Sequence, residues 1–234
     1  MDSPWVIIPT YNERPNITPM IRALFALDIP GLSVLIVDDS SPDGTGAGVK
    51  KLQAEYPRLQ LTLQPKKSGL GRAYTRGFEE VLKRDATAVV QMDADFSHDP
   101  KDVPRLLAGL KDFDVVIGSR YSHGLSVINW PLRRLLLSTA ANQYARIITG
   151  LSQHDITGGF RAWRPEVLQA IDLATVNADG YGFQIVTIFR TARKRFRITE
   201  IPIIFTERRE GQSKMSRAIM WEAFWLVWKL RLLG

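Results

Sequence analysis

A chain of 234 residues can bury the core of one large domain or at most two, and its lack of cysteine rules out disulfides, thiolate nucleophiles and thiolate metal sites together. The excess of 31 Lys and Arg over 24 Asp and Glu suits an anionic membrane face, phosphorylated small molecules or nucleic acid. No helix-turn-helix, zinc-finger or RNA-binding signature accompanies it, so nucleic acid is not expected.

The opening Met-Asp-Ser-Pro-Trp has neither a basic n-region nor a long apolar h-region, and no secretory signal is expected. In chain order, residues 5–8 read as a strand and 16–27 as a helix, then 34–37 as a strand and 46–56 as a helix. A strand at 59–63 precedes a helix at 71–84, and strands at 89–92 and 115–117 flank a helix at 103–110. Short apolar runs alternating with helical patterns predict an α/β fold, a mostly parallel sheet flanked by helices. No internal repeat or low-complexity tract interrupts the pattern.

The residues that follow each strand carry the functional signal. After the first comes Pro9-Thr-Tyr-Asn-Glu13, after the second Asp38-Asp-Ser-Ser-Pro-Asp-Gly44, after the fourth Asp93-Ala94-Asp95, and after the fifth Gly118-Ser-Arg120-Tyr121. Ligands of open α/β sheets bind outside the carboxyl ends of the strands. Two carboxylates with one small residue between them suit a hard divalent cation if the chain bends there. Asp112-Phe-Asp114 has the same spacing but precedes its strand, so it serves as an internal control. Gly44-Thr-Gly46-Ala-Gly48-Val49 and Gly69-Leu-Gly71 both lack the third glycine of a dinucleotide fingerprint, and no P-loop motif is present. A second-strand acid with a later D-x-D suits instead a base or ribose beside a metal-neutralised diphosphate.

Together these residues resemble glycosyltransferase family 2, most closely its polyprenyl-phosphate (dolichyl-phosphate) mannose synthase branch. The matching segments continue as Trp130 with Arg134 and Ser138, Asp155-Ile-Thr-Gly-Gly-Phe-Arg161, Gly180-Tyr-Gly-Phe-Gln184 and Glu207-Arg-Arg-Glu-Gly-Gln-Ser-Lys214. The resemblance implies a GT-A, Rossmann-like nucleotide-sugar fold. It implies transfer of mannose from GDP-mannose to a polyprenyl or dolichyl monophosphate, with inversion to a β-linked product, on Mg²⁺ or Mn²⁺. UDP-glucose or another nucleotide sugar is the alternative donor. A catalytically inactive nucleotide-sugar-binding or scaffold protein is the alternative outside enzymology. Pro9, Tyr11, Glu13, Val37 and Asp39 would hold the nucleoside, and Asp93, Ala94 and Asp95 the nucleotide ribose and metal. Ser97 stands where some relatives carry glutamine and would join the metal shell. Arg120, Arg134, Arg208 and Lys214 would gather the phosphates.

The chemistry is consistent with this implication. An alcohol acceptor needs a general base, whereas a phosphate monoester, with a second pKa of about 6, is largely dianionic at pH 7. Such an enzyme needs cations to bring two anionic substrates together, and arginine's fork matches phosphate oxygens. Residues 190–217 supply nine basic side chains against three acidic ones. Relatives carry an acid two positions beyond Gln184, where this chain has Val186. The Q-x-x-R-W of processive synthases is also missing, since Gln143-Tyr-Ala-Arg146 is followed by Ile147.

His98 either orients a metal ligand or sits in a polar turn, His154 is expected to be structural, and residues 122–129 form either an acceptor lid or an ordinary loop. Residues 216–233 place Trp221, Phe224, Trp225, Trp228 and Leu232 at helical spacing. Glu222, Lys229 and Arg231 interrupt a run shorter than the roughly 20 apolar residues of a span. The helix lies either along a membrane interface or against the enzyme itself or a partner subunit. The chain accordingly divides into a catalytic domain, 1–215, and a C-terminal amphipathic helix, 216–234. Its expected location is cytoplasmic, peripheral to the inner membrane face.

Overall fold

The computed structural model describes residues 3–176, 178, 180–206 and 217–233. Strands β1 (Pro4–Thr10), β2 (Ser33–Asp38), β3 (Leu59–Leu63), β4 (Ala88–Gln91) and β5 (Val115–Ser119) alternate with helices α1 (Arg14–Phe25), α2 (Thr45–Leu52), α3 (Leu70–Leu82) and α4 (Val103–Gly109). All nine were expected. Helix α2 stops four residues early, because Tyr56 stacks on Phe25 at 4.6 Å and Gln53 donates to the Leu59 carbonyl. Those contacts turn the chain into β3.

The second half adds β6 (Val127–Ile128), α5 (Leu132–Thr149), β7 (Arg161–Trp163), α6 (Pro165–Ala170), α7 (Gly180–Arg193), β8 (Ile198–Pro202), β9 (Phe205–Thr206) and α8 (Arg217–Leu233). The main sheet runs β3-β2-β1-β4-β7-β5-β8, parallel except for β7, which is antiparallel to both β4 and β5. Strands β6 and β9 form a separate parallel pair. The stretch read as a loop at 122–129 is therefore partly tied down.

Alternation explains how both faces are covered. Trp5 and Ile7 of β1 join a core with α3 and α7, while Val6 and Ile8 join a second core with α1 and α4. Successive strand residues point to opposite faces, so a sheet covered on both sides is apolar throughout. At Gly77 a Cβ would lie 2.6 Å from Ile7 Cγ2 and 3.2 Å from Val37 Cγ2. The missing side chain lets α3 lie close on the sheet and sets the depth of its N-terminus beside the β1 and β4 ends.

Helix α8 packs on α5 and α7. Val227 is buried, Leu226 and Leu230 pack against the core, and Phe224 stacks on Tyr144 with centroids 4.9 Å apart. Trp228 Nε1 donates to Tyr144 Oη at 2.8 Å. The aromatic stripe read from the sequence is thus mostly the outward side, with Trp221 63% and Trp225 62% exposed. Among the described residues no helix is long and apolar enough to cross a membrane.

Candidate active site

A cavity of about 390 Å³ opens at the carboxyl ends of β1, β2 and β4, lined by Pro9, Tyr11, Glu13, Asp39, Asp93, Ala94, Asp95, Arg120 and Arg134. The chain leaves β4 through a tight turn in which Phe96 takes φ 60°, a strained conformation for a bulky residue. Asp95 is the anchor of this turn. Its Oδ1 accepts from the Ser97 backbone N–H at 3.1 Å and from Ser97 Oγ at 2.6 Å. Ser97 is buried and braces Asp95, and it does not line the cavity. In this structure it holds a carboxylate that faces the cavity rather than facing it itself.

Asp93 is set from two sides. Tyr74 Oη donates to its Oδ1 at 3.3 Å, and its backbone N–H donates to His98 Nδ1 at 3.1 Å. His98 is buried and stacks on Phe160 at 4.8 Å. Burial pushes its pKa below the usual histidine value, outweighing the pull of Asp93 and Asp95, so the ring is neutral with its proton on Nε2. It orients the backbone of an acidic residue from inside the core, in place of an exposed polar turn.

On the nucleoside side, the Asp39 carboxylate accepts from Ser68 N–H, Ser68 Oγ and Gly69 N–H, all within 2.9 Å. Gly69 adopts φ 96°, open to glycine at little cost. Asp39 therefore folds the loop before α3 against the cavity as well as lining it. Lys67 Nζ sits 3.9 Å above the Tyr11 ring, a cationic residue beside the nucleoside positions that the sequence reading did not name. Val37 is buried in the core on β2 and does not line the cavity, because its side chain points to the α3 face of the sheet.

At the far end, Arg120 and Asp155 form a buried bidentate ion pair, Nε to Oδ2 and Nη2 to Oδ1, both 2.7 Å. The Arg120 and Gly158 backbone N–H groups and Thr157 Oγ1 complete it. Burial opposes both charges, yet their mutual attraction prevails, holding Asp155 below and Arg120 above their ordinary pKa values. Part of Arg120's fork is committed to Asp155, and the arginine lines the cavity beside that bond. Arg134 lies 4.3 Å from the Trp130 ring centroid. A second cavity of about 340 Å³ adjoins here, shares Trp130, Arg134, Thr157 and Tyr181, and is otherwise walled largely by apolar side chains of α5, α7 and Phe224.

The family described as Glycosyl transferase family 2 matches residues 5–172 of this chain. The chain belongs to that family. Two relatives extend the match: a polyprenol monophosphomannose synthase of Mycolicibacterium smegmatis is 47% identical over 97% of this chain and 86% of its own. An undecaprenyl-phosphate mannosyltransferase of Micrococcus luteus is 46% identical over 93% of this chain and 89% of its own. A solved structure of glucosyl-3-phosphoglycerate synthase from Mycobacterium tuberculosis with phosphoglyceric acid superposes with TM-score 0.71 at 18% identity, covering 100% of this chain and 81% of its own. The same enzyme with Mn²⁺, UDP-glucose and phosphoglyceric acid gives TM-score 0.70 at 19% identity, with the same coverage of both chains. These likenesses establish the GT-A architecture.

In this glycosyltransferase, no cluster of three or more His, Asp or Glu stands ready for a metal among the described residues. Asp93 and Asp95 still fit Mg²⁺ or Mn²⁺, because such ions take one or two carboxylates and complete their shell with substrate phosphates and water. Arg208 and Lys214 lie outside the described residues. The control pair behaves differently: Asp114, at the opposite strand end, accepts from the backbone and guanidinium of Arg197 and anchors the start of β8. His154 is structural, with both its backbone N–H and Nδ1 on Glu200. Val186 is buried in the core on α7, so the position where relatives carry an acid does not face the cavity here.

Proposed function

We propose that this glycosyltransferase moves mannose from GDP-mannose to a polyprenyl or dolichyl monophosphate, giving the β-linked lipid phosphate and GDP. The observation that carries this reading is the pair of adjoining cavities: one lined by carboxylates, the other largely apolar, with Arg120 and Arg134 near their junction. A long isoprenoid needs an apolar groove and its phosphate needs cations where the groove meets the sugar. The names of the two relatives support the same acceptor class and the mannosyl group.

In this reading Tyr11 and Lys67 flank the base while Asp39 and the Asp93 edge face the ribose. Asp93, Asp95 and a water-completed shell would hold Mg²⁺ or Mn²⁺, which neutralises diphosphate charge when bound. Arg134, with Arg208 and Lys214 from the basic segment, collects the acceptor phosphate. The dianionic oxygen attacks the anomeric carbon directly, so no protein base is required and Val186 costs the chain nothing. Back-side displacement inverts the anomeric centre.

Donor identity is tested by supplying GDP-mannose and UDP-glucose separately with a short polyprenyl phosphate. Lipid-linked sugar from GDP-mannose alone is expected; transfer from UDP-glucose alone overturns the donor. The outward Trp221, Trp225 and Leu232 of α8, and Leu132 and Leu136 of α5, are exposed, which supports a peripheral position on the cytoplasmic membrane face. Replacing Trp221, Trp225 and Leu232 by serine is expected to abolish flotation with anionic liposomes. Undiminished flotation of the triple variant rules out α8 as the membrane contact.

A further inference from the structure

We infer that Gln184 binds the sugar being transferred, and that a buried relay from Trp163 through Gln91 fixes its amide so that it donates to a sugar hydroxyl. The inference rests on the reading of the chain as a nucleotide-sugar transferase.

The amide orientations follow from donor and acceptor chemistry. An indole N–H only donates, and Trp163 Nε1 lies 3.3 Å from Gln91 Oε1. That turns the Gln91 NH₂ towards α7, where it donates to Gln184 Oε1 at 2.8 Å. Gln184 has then spent its carbonyl. Its NH₂ is turned away from Gln91 and makes no hydrogen bond among the described residues, although the residue is only 2% exposed and lines the cavity. The amide is thus presented to the cavity with no protein acceptor among the described residues, which leaves it for water or a ligand.

The backbone at this position is held as firmly. Arg161 is wholly buried, and burial pushes its pKa down to about 9, which leaves it a cation at neutral pH. It donates from Nη1 to the Gln184 carbonyl and Thr187 Oγ1 and from Nη2 to the Ile156 carbonyl, each within 3.0 Å. Strand β7, helix α7 and the loop before β7 are thus fastened at one point.

The donor's target can be located. A Cβ built on Gly159 would lie 3.4 Å from Gln184 Nε2 and 3.9 Å from Asp93 Oδ1. With no side chain on Gly159, the space between the amide and the carboxylate stays open, and a sugar hydroxyl entering it can accept from the amide and donate to the carboxylate. A phosphate oxygen has no proton for Asp93. Gln184 is therefore a substrate-binding residue, and Gln91 and Trp163 are positioning residues behind it.

Two full-length variants test this. Gln184→Met keeps side-chain length and removes the donor. Gln91→Met removes the donor that holds Gln184 Oε1 and frees the amide to turn round without touching substrate. Both are expected to lose about 10–100-fold in kcat/KM for the nucleotide sugar, with the affinity for GDP alone, measured by calorimetry, within about twofold. Equal losses for GDP and nucleotide sugar overturn the inference, as does an effect confined to the KM of the lipid phosphate. If Gln184→Met does not fold, monodeoxy-sugar donors with the wild-type chain replace it: about tenfold or more lost at one position supports the contact, and no loss at any position overturns it. A wild-type chain that transfers no sugar overturns the functional reading and this inference together. Wild-type transfer matched by both variants overturns this inference alone.

Discussion

Asp95→Ala is expected to reduce mannosyl transfer by about 10²–10³-fold or more while the protein stays folded. Asp95 faces the cavity and is aimed by the Ser97 N–H and Oγ across a turn strained at Phe96. Its carboxylate supplies half of the fixed negative charge from the β4 end, and without it Asp93 alone would be left to hold the proposed Mg²⁺ or Mn²⁺ against the donor diphosphate. The fold should tolerate the change, because the loss is confined to one turn at a sheet edge. Asp95→Asn separates the roles: it keeps an oxygen for Ser97 but removes the charge, so it should melt near wild type and remain about as inactive as the alanine variant. Initial rates and thermal melts decide it, and undiminished turnover in either variant removes Asp95 from the site.

Asp155→Ala has the largest expected effect on stability. Arg120 is 4% exposed and Asp155 wholly buried, and removing one partner of such a pair leaves an uncompensated charge, at a cost of about 3–5 kcal/mol. At roughly 2–4 °C per kcal/mol for a domain of this size, the melting temperature should fall by about 10 °C. A second substitution distinguishes pairing from packing. Asp155→Ala combined with Arg120→Met should regain much of the lost stability, since no charge is then stranded, yet remain inactive for want of Arg120. If Asp155→Ala melts within a degree or two of wild type, the pair is not what orders the far end of the cavity.

The first half of the fold was legible because each of its strands is a short apolar run ended by a polar turn. The second half was not. β7 is three residues long and antiparallel, and Arg161 within it reads as an interruption of an apolar run, though it is wholly buried. α5 carries Leu132, Leu136 and Ile147 exposed, so its apolar residues do not mark one inward face. In the site, the separation of Asp93–Asp95 from Asp112–Asp114 could be read from which end of a strand each occupies. The Arg120–Asp155 pair joins residues 35 positions apart, and spacing along the chain carries no sign of it. Lys67 and the Gln91–Gln184 relay were hidden for the same reason: a lysine in a loop and two glutamines 93 positions apart look ordinary until the fold brings them together. The proposed acceptor chemistry, by contrast, has a signal in the sequence itself, since a basic late segment without an acid at Val186 suits a nucleophile that arrives already ionised.

The most direct test of the account is the product made by the wild-type chain from GDP-mannose, Mg²⁺ or Mn²⁺, and a short polyprenyl monophosphate, alongside the corresponding polyprenol. A β-linked mannosyl phosphate of the lipid, identified by its anomeric NMR signals, with GDP released in equal amount and no product from the alcohol, is the predicted result. An α-linked product, or transfer to the polyprenol as readily as to its phosphate, would contradict direct displacement by a phosphate gathered between two adjoining cavities.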